Sequence, residues 1–153
     1  MAHRYYNPFQ AIGISVPLEF HESFKRYSRR EANAVIDQSP FSRMIDFWFL
    51  SVCVASQLGL EPVDIPKSDT VKIIDGAIFA NDPWRIDMLM LLAISRHNDA
   101  QIVSEPREMI SLANGLAVAG IPKVIDMLKE GDAEPIWNLS DAIYSLLRKG
   151  EST

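Results

Sequence analysis

The sequence predicts a mainly α fold, a single helical domain carrying one short strand near its N-terminus. Three observations predict it. Strict apolar alternation is confined to QAIGISVP, residues 10–17. Helical spacing with start and stop residues recurs through the rest of the chain. One segment, residues 40–58, is apolar on nearly every side, as a central helix would be. A chain of 153 residues is long enough to bury such a core as one domain. The expected organisation is an arm over residues 1–10 and a domain over 11–153. Within it, a strand–helix–helix part (11–58) and a helical part (69–150) flank the proline-rich LEPVDIPKSD linker.

In the strand, Ile12, Ile14 and Val16 fall on one side and Ala11, Gly13 and Ser15 on the other. Pro17 ends it and suits a helix start. From Leu18 to about Ala34 the spacing predicts a helix with an apolar stripe of Phe20, Phe24, Tyr27 and Ala34. For the next helix, Ser39 offers an N-cap, Pro40 a first turn and Gly59 a stop. Met44, Ile45, Phe47, Trp48, Phe49, Leu50, Val52, Cys53, Val54 and Leu58 cover its surface. It must be enclosed by its own domain or by a partner subunit. TVKIIDGAIFA, residues 70–80, reads equally as a short helix or a strand. A helix capped by Asn81 or Asp82 and started by Pro83 buries Ile86, Leu89, Met90, Ala93 and Ile94. Another opens at Ser104, and Gly120–Ile121–Pro122 predicts a break before a short helix closed by Gly131. A last helix over about 140–149 places Arg148 and Lys149 at its negative end.

Charge is unevenly spread. The chain carries 15 basic and 20 acidic side chains, a net −5 that opposes wholesale binding to polyanions. Residues 1–43 nevertheless hold six basic and four acidic groups, whereas the remainder holds nine and sixteen. Most of the excess lies in FKRYSRRE, residues 24–31. On a helix, Lys25 and Arg29, and Arg26 and Arg30, are spaced four apart, so four cations share one face. Such a face either neutralises a few phosphates without reading sequence or is a solvated surface balanced by Glu22 and Glu31.

The single cysteine, Cys53, excludes an internal disulfide and a cysteine-based zinc site. It reads as a packing residue of the apolar helix. His3, His21 and His97 lack ligand spacing, and no phosphate-loop, nucleophile-elbow or zinc-protease motif is present. No catalytic residue, metal site or cofactor is expected. Asp46 and Asp87 each interrupt an apolar run. They are either a metal- or proton-handling pair or first-turn acids that face solvent or bond to Arg43 or Arg85. Trp84 reads as core edge. The first residues lack the apolar core of a signal peptide, and the longest apolar run is too short to span a bilayer, so a cytoplasmic protein without membrane contact is expected. Tyr5, Tyr6 and Phe9 suggest that the arm docks.

ISVPLEFHESFKRY, a turn, and SPFSRMIDFWFLSV resemble the ribbon-helix-helix layout. That resemblance implies paired strands, a shared second helix and an oligomer interface of Ile12, Ile14, Phe47, Trp48 and Leu50. It also implies a strand that reads the major groove, but the outward residues here, Ala11, Gly13 and Ser15, offer base edges little. A second likeness runs over residues 39–130: SPFSRMIDFWFLSVCVASQLGLEP, DGAIF, IDMLMLLAISRHNDAQIV and LANGLAVAGIPKVIDMLKEG. These segments resemble the small accessory proteins of bacterial DNA phosphorothioation (sulfur-modification) systems. The resemblance implies a non-catalytic subunit of a DNA-modification or anti-phage defence complex. It would be a homodimer or part of a larger assembly, with double-stranded DNA contacted through Lys25, Arg26, Arg29, Arg30 and Arg43. Two alternatives stay open: a scaffold that binds no nucleic acid, and a metal-dependent enzyme using Asp46 and Asp87.

Overall fold

Helix α2 (Met44–Gln57) sets the position of the other elements in the computed structural model, which describes residues 6–29 and 34–151. The fold is mainly helical with a small antiparallel sheet, as the sequence predicts, but the sheet has two strands. Strand β1 (Gly13–Pro17) pairs with β2 (Thr70–Asp75), from Gly13 opposite Asp75 to Pro17 opposite Thr70, with a register shift between Ile14 and Ser15. The ambiguous 70–80 segment is therefore both a strand and, from Gly76 to Asn81, a 3-10 helix. Gly76 is obligatory there: a Cβ would lie 1.9 Å from the Phe9 carbonyl oxygen.

The basic stretch does not form one long helix. A 3-10 turn (Leu18–Phe20) leads into α1 (His21–Tyr27), which stops where Ser28 becomes extended. Arg29 N–H donates to the Phe41 carbonyl at 2.8 Å, and Phe41 N–H to the Tyr27 carbonyl at 3.1 Å. The cause is aromatic packing. Phe24, Tyr27 and Phe41 gather on Phe47, with ring centroids 4.4, 6.3 and 4.8 Å away. Continuing the helix past Tyr27 would pull the chain away from that cluster.

The α2 start also differs from the sequence reading. Arg43, rather than Ser39, stands at the N-cap: the Asp46 carboxylate accepts from Arg43 N–H at 3.0 Å, and Asp46 N–H donates to the Arg43 carbonyl at 3.1 Å. The Ser39 hydroxyl instead donates to the Arg26 carbonyl. Helix α3 (Pro83–His97) begins at Pro83 as predicted. Helix α4 (Pro106–Lys129) runs unbroken through Pro122. Proline costs a helix one hydrogen bond, yet Ile121 and Val124 on either side are buried and hold the segment down. Helix α5 (Pro135–Glu151) starts a turn earlier than its sequence signal.

Helices α2 and α4 cross closely because Ala113, Ala117 and Gly120 form a stripe of small, buried residues on α4. A Cβ on Gly120 would lie 2.0 Å from the Ser51 carbonyl oxygen. At the same crossing Trp48 Nε1–H donates to Asn114 Oδ1 at 3.0 Å, and Asn114 Nδ2–H donates to the Ser15 carbonyl at 2.7 Å. One buried amide thus joins α2, α4 and β1. Among the described residues α4 is the helix long and apolar enough to cross a membrane, and 61% of its most apolar window is buried inside the fold.

Candidate functional site

The polar residues nearest to a built site surround the start of α2. Asp46 Oδ1 accepts from Arg85 Nη2 at 2.6 Å and from Arg43 Nη2 at 3.3 Å. Arg43 Nη2 also donates to Asp82 Oδ2 at 2.8 Å, and Asp82 lies 3.9 Å from Arg85 Nε. Hydrogen bonding to Asp82, followed by the nearby Asp46, holds the Arg43 guanidinium above its ordinary pKa despite partial desolvation. Arg85 is buried, and its Nε and Nη1 have no hydrogen-bond partner. Aromatic rings occupy that side: the guanidinium carbon is 5.0 Å from the Phe49 centroid and 4.9 Å from that of Trp84. Ring faces supply the negative potential that those N–H groups lack. Two carboxylates and two guanidiniums close on themselves and tie the α2 start to the α3 start.

Asp46 is a first-turn acid of α2 bonded to both Arg43 and Arg85. Asp87 is exposed on α3 and takes no part in the network. Among the described residues no group of three or more His, Cys, Asp or Glu side chains could hold a metal ion. His21 is half-buried and His97 exposed, while His3 lies outside the described residues. A polar cleft of about 460 Å³, unforeseen in the sequence, brings Asp64, His97, Glu108 and Ser111 to one mouth beside Pro62 and Ile65. It forms because the linker folds back on α4, with Val63 N–H donating to the Gly115 carbonyl.

The four cations of the basic stretch do not share a helical face, because Arg29 lies beyond the end of α1. Lys25 Nζ pairs with Glu22 Oε1 at 2.5 Å, which lowers the Glu22 carboxyl below its usual value. Arg26 is exposed and lies over the Tyr27 ring at 5.5 Å. Arg29 donates to the Ser42 hydroxyl. Arg30 and Glu31 lie outside the described residues, as do Arg4 and Tyr5. Of the expected nucleic-acid residues, Lys25 and Arg26 present cations outward, whereas Arg43 is engaged by two carboxylates.

The expected oligomer residues are mostly inside the chain's own core. Ile12, Ile14, Phe47 and Trp48 are buried by elements of the same chain, so the inner side of the apolar helix is enclosed by its own domain. This corrects their assignment to an oligomer interface: the aromatic cluster, β2 and α4 cover them. Leu50 alone of the five remains partly exposed. In the arm, Phe9 is buried edge-on against Phe79, and Asn7 Nδ2–H donates to the Gly76 carbonyl at 2.8 Å, whereas Tyr6 is exposed.

The outer side of α2 is different again. Cys53 is exposed there, contrary to its reading as a packing residue. Flanking side chains push its thiol pKa up by desolvation, with Arg85 pulling it the other way. An apolar groove of about 300 Å³ separates α2 from α3, and one of about 190 Å³ separates α2 from α5. Cys53 and Gln57 line both grooves, which makes the two a single continuous face. Trp84, likewise, is half-exposed at its edge. Comparison with protein-family models, curated proteins and solved structures gave no match.

Proposed function

We propose that this protein is a non-catalytic accessory subunit of a bacterial DNA-modification or anti-phage defence complex, acting by docking rather than by chemistry. One observation carries the docking part. The strongest polar groups, Arg43, Asp46, Asp82, Arg85 and Asn114, are consumed in holding the fold together, while large apolar side chains stay exposed. The complex to which the subunit belongs rests on the sequence resemblance over residues 39–130.

DNA contact, in this reading, comes from backbone charge pairing by Lys25 and Arg26 with Arg29 and Arg30. The ribbon-helix-helix mode would pair β1 with the β1 of a second chain; here β1 already pairs with β2. The reading therefore takes its cations from α1 and the segment after it. The scaffold reading is favoured by one specific observation, the neutralisation of Lys25 by Glu22. Fluorescence anisotropy with duplex DNA, from low to physiological salt, separates the two. A salt-steep affinity lost when Lys25, Arg26, Arg29 and Arg30 are all changed to Glu supports DNA contact. Absence of binding at low salt removes the DNA half and leaves the scaffold.

A further inference from the structure

We infer that DNA phosphates are held by the pair Arg26 and Arg29, with Ser42 as the positioning residue of Arg29 and Glu22 keeping Lys25 out of the contact. The inference rests on the DNA reading above and assigns its cations. The chemistry of the group that holds each cation decides the assignment. Lys25 is held by a carboxylate, with Nζ 2.5 Å from Glu22 Oε1. To reach a phosphate it must leave Glu22, and the uncovered carboxylate would then face the same phosphates. Arg26 and Arg29 are held by uncharged groups. The Arg26 guanidinium carbon lies 5.5 Å from the centroid of the Tyr27 ring, and Arg29 Nη2 donates to the Ser42 hydroxyl. Among the described residues neither arginine pairs with a carboxylate. A ring or a hydroxyl orders a guanidinium and leaves its charge whole.

Both arginines stand on a fixed base. Tyr27 is buried, so the ring beneath Arg26 is held in place, and the Arg26 carbonyl accepts from the Ser39 hydroxyl at 2.6 Å. Arg29 N–H donates to the carbonyl of Phe41, the residue before Ser42, at 2.8 Å. The 39–42 segment therefore sets both the backbone and the Nη2 end of Arg29. An arginine side chain loses much rotamer freedom when a ligand immobilises it. Ser42 imposes that order before a phosphate arrives, and it occupies a single N–H donor of the guanidinium. The remaining donors suit the oxygens of a phosphodiester. Spacing alone makes the cations of the basic stretch equivalent; their partners make them unequal.

Fluorescence anisotropy with labelled duplex DNA on the full chain, read as affinity against salt, tests each assignment. Every variant keeps Arg30, which lies outside the described residues. Each phosphate contact contributes about 0.9 to the logarithmic salt slope. Arg26→Gln and Arg29→Gln should each flatten the slope by about one, whereas Lys25→Gln should leave it unchanged. Glu22→Gln should steepen it by about one, because Lys25 is then released. Ser42→Ala keeps the Arg29 charge, so affinity should fall about two- to ten-fold at constant slope, and Ser42→Thr should restore it. Circular dichroism matching wild type excludes unfolding as the cause. A Lys25→Gln protein whose slope flattens as much as that of Arg29→Gln overturns the choice of the pair. A Ser42→Ala protein of unchanged affinity, or one that threonine does not rescue, overturns the positioning role. Wild-type protein that fails to bind at low salt removes the DNA reading and this inference with it. Binding that shows none of these dependences overturns this inference alone.

Discussion

Helix α2 has two sides built by opposite rules. Its inner side meets α4 through backbone-to-backbone closeness at Gly120 and a fully engaged Trp48–Asn114–Ser15 hydrogen-bond chain. On its outer side, grooves separate it from α3 and α5, and Met88 and Leu147 at their walls stay half-exposed. The inner seam is intolerant of volume and of lost hydrogen bonds. The outer face is more tolerant, because side chains such as Met88 and Leu147 reach solvent. A helix whose sequence is apolar all round therefore has one tightly packed side and one side bordered by open grooves.

The sharpest way to break the comparison is Gly120→Ala. Alanine is the better helix former by about 1 kcal/mol, but here its Cβ would collide with the Ser51 carbonyl. Urea unfolding should show a loss of about 3 kcal/mol, the upper end of ordinary overpacking. Asp46→Ala comes next. It removes the capping acid and leaves Arg85 buried over two rings without its carboxylate. Asp46 keeps some solvent contact, so the expected loss is about 2–3 kcal/mol, below that of a fully buried pair. Asp46→Asn should recover about 1 kcal/mol of it by keeping the cap.

The smallest effect lies on the outer face. The Cys53 pKa is raised in the folded protein, so folding favours the neutral thiol. The linked stability is present below the ordinary thiol pKa and fades as pH rises through the folded value. Iodoacetamide should therefore alkylate the native thiol more slowly than the unfolded chain at about pH 8, with the gap closing at higher pH. Equal rates at both pH values would show that the flanking side chains do not desolvate it.

Much of the helical architecture was legible in the sequence because periodicity and proline starts are local signals. Pro83 opens α3 where expected, and β1 follows its alternation. The failures share a non-local cause. Helix α1 ends at Tyr27 because Phe41, fourteen residues later, draws the chain onto Phe47. Strand β2 was ambiguous until β1 was there to pair with it. The break expected at Pro122 is overridden by burial of Ile121 and Val124. Within the candidate site, Asp46 beside Arg43 was readable, since three residues at a helix start bring an acid and a base within reach. Asp82 and Arg85 join them only through the docking of α3, and the grooves beside Cys53 arise from three helices far apart in sequence.

The central claim is that α2 has one tightly packed side and one open, grooved side. The most direct measurement is urea unfolding of Gly120→Ala and Leu91→Glu side by side, at protein concentrations low enough for any dimer to dissociate. It predicts a loss of about 3 kcal/mol for the first and a change within about 0.5 kcal/mol for the second. Comparable losses in both variants would contradict it, because the outer face would then be part of the core.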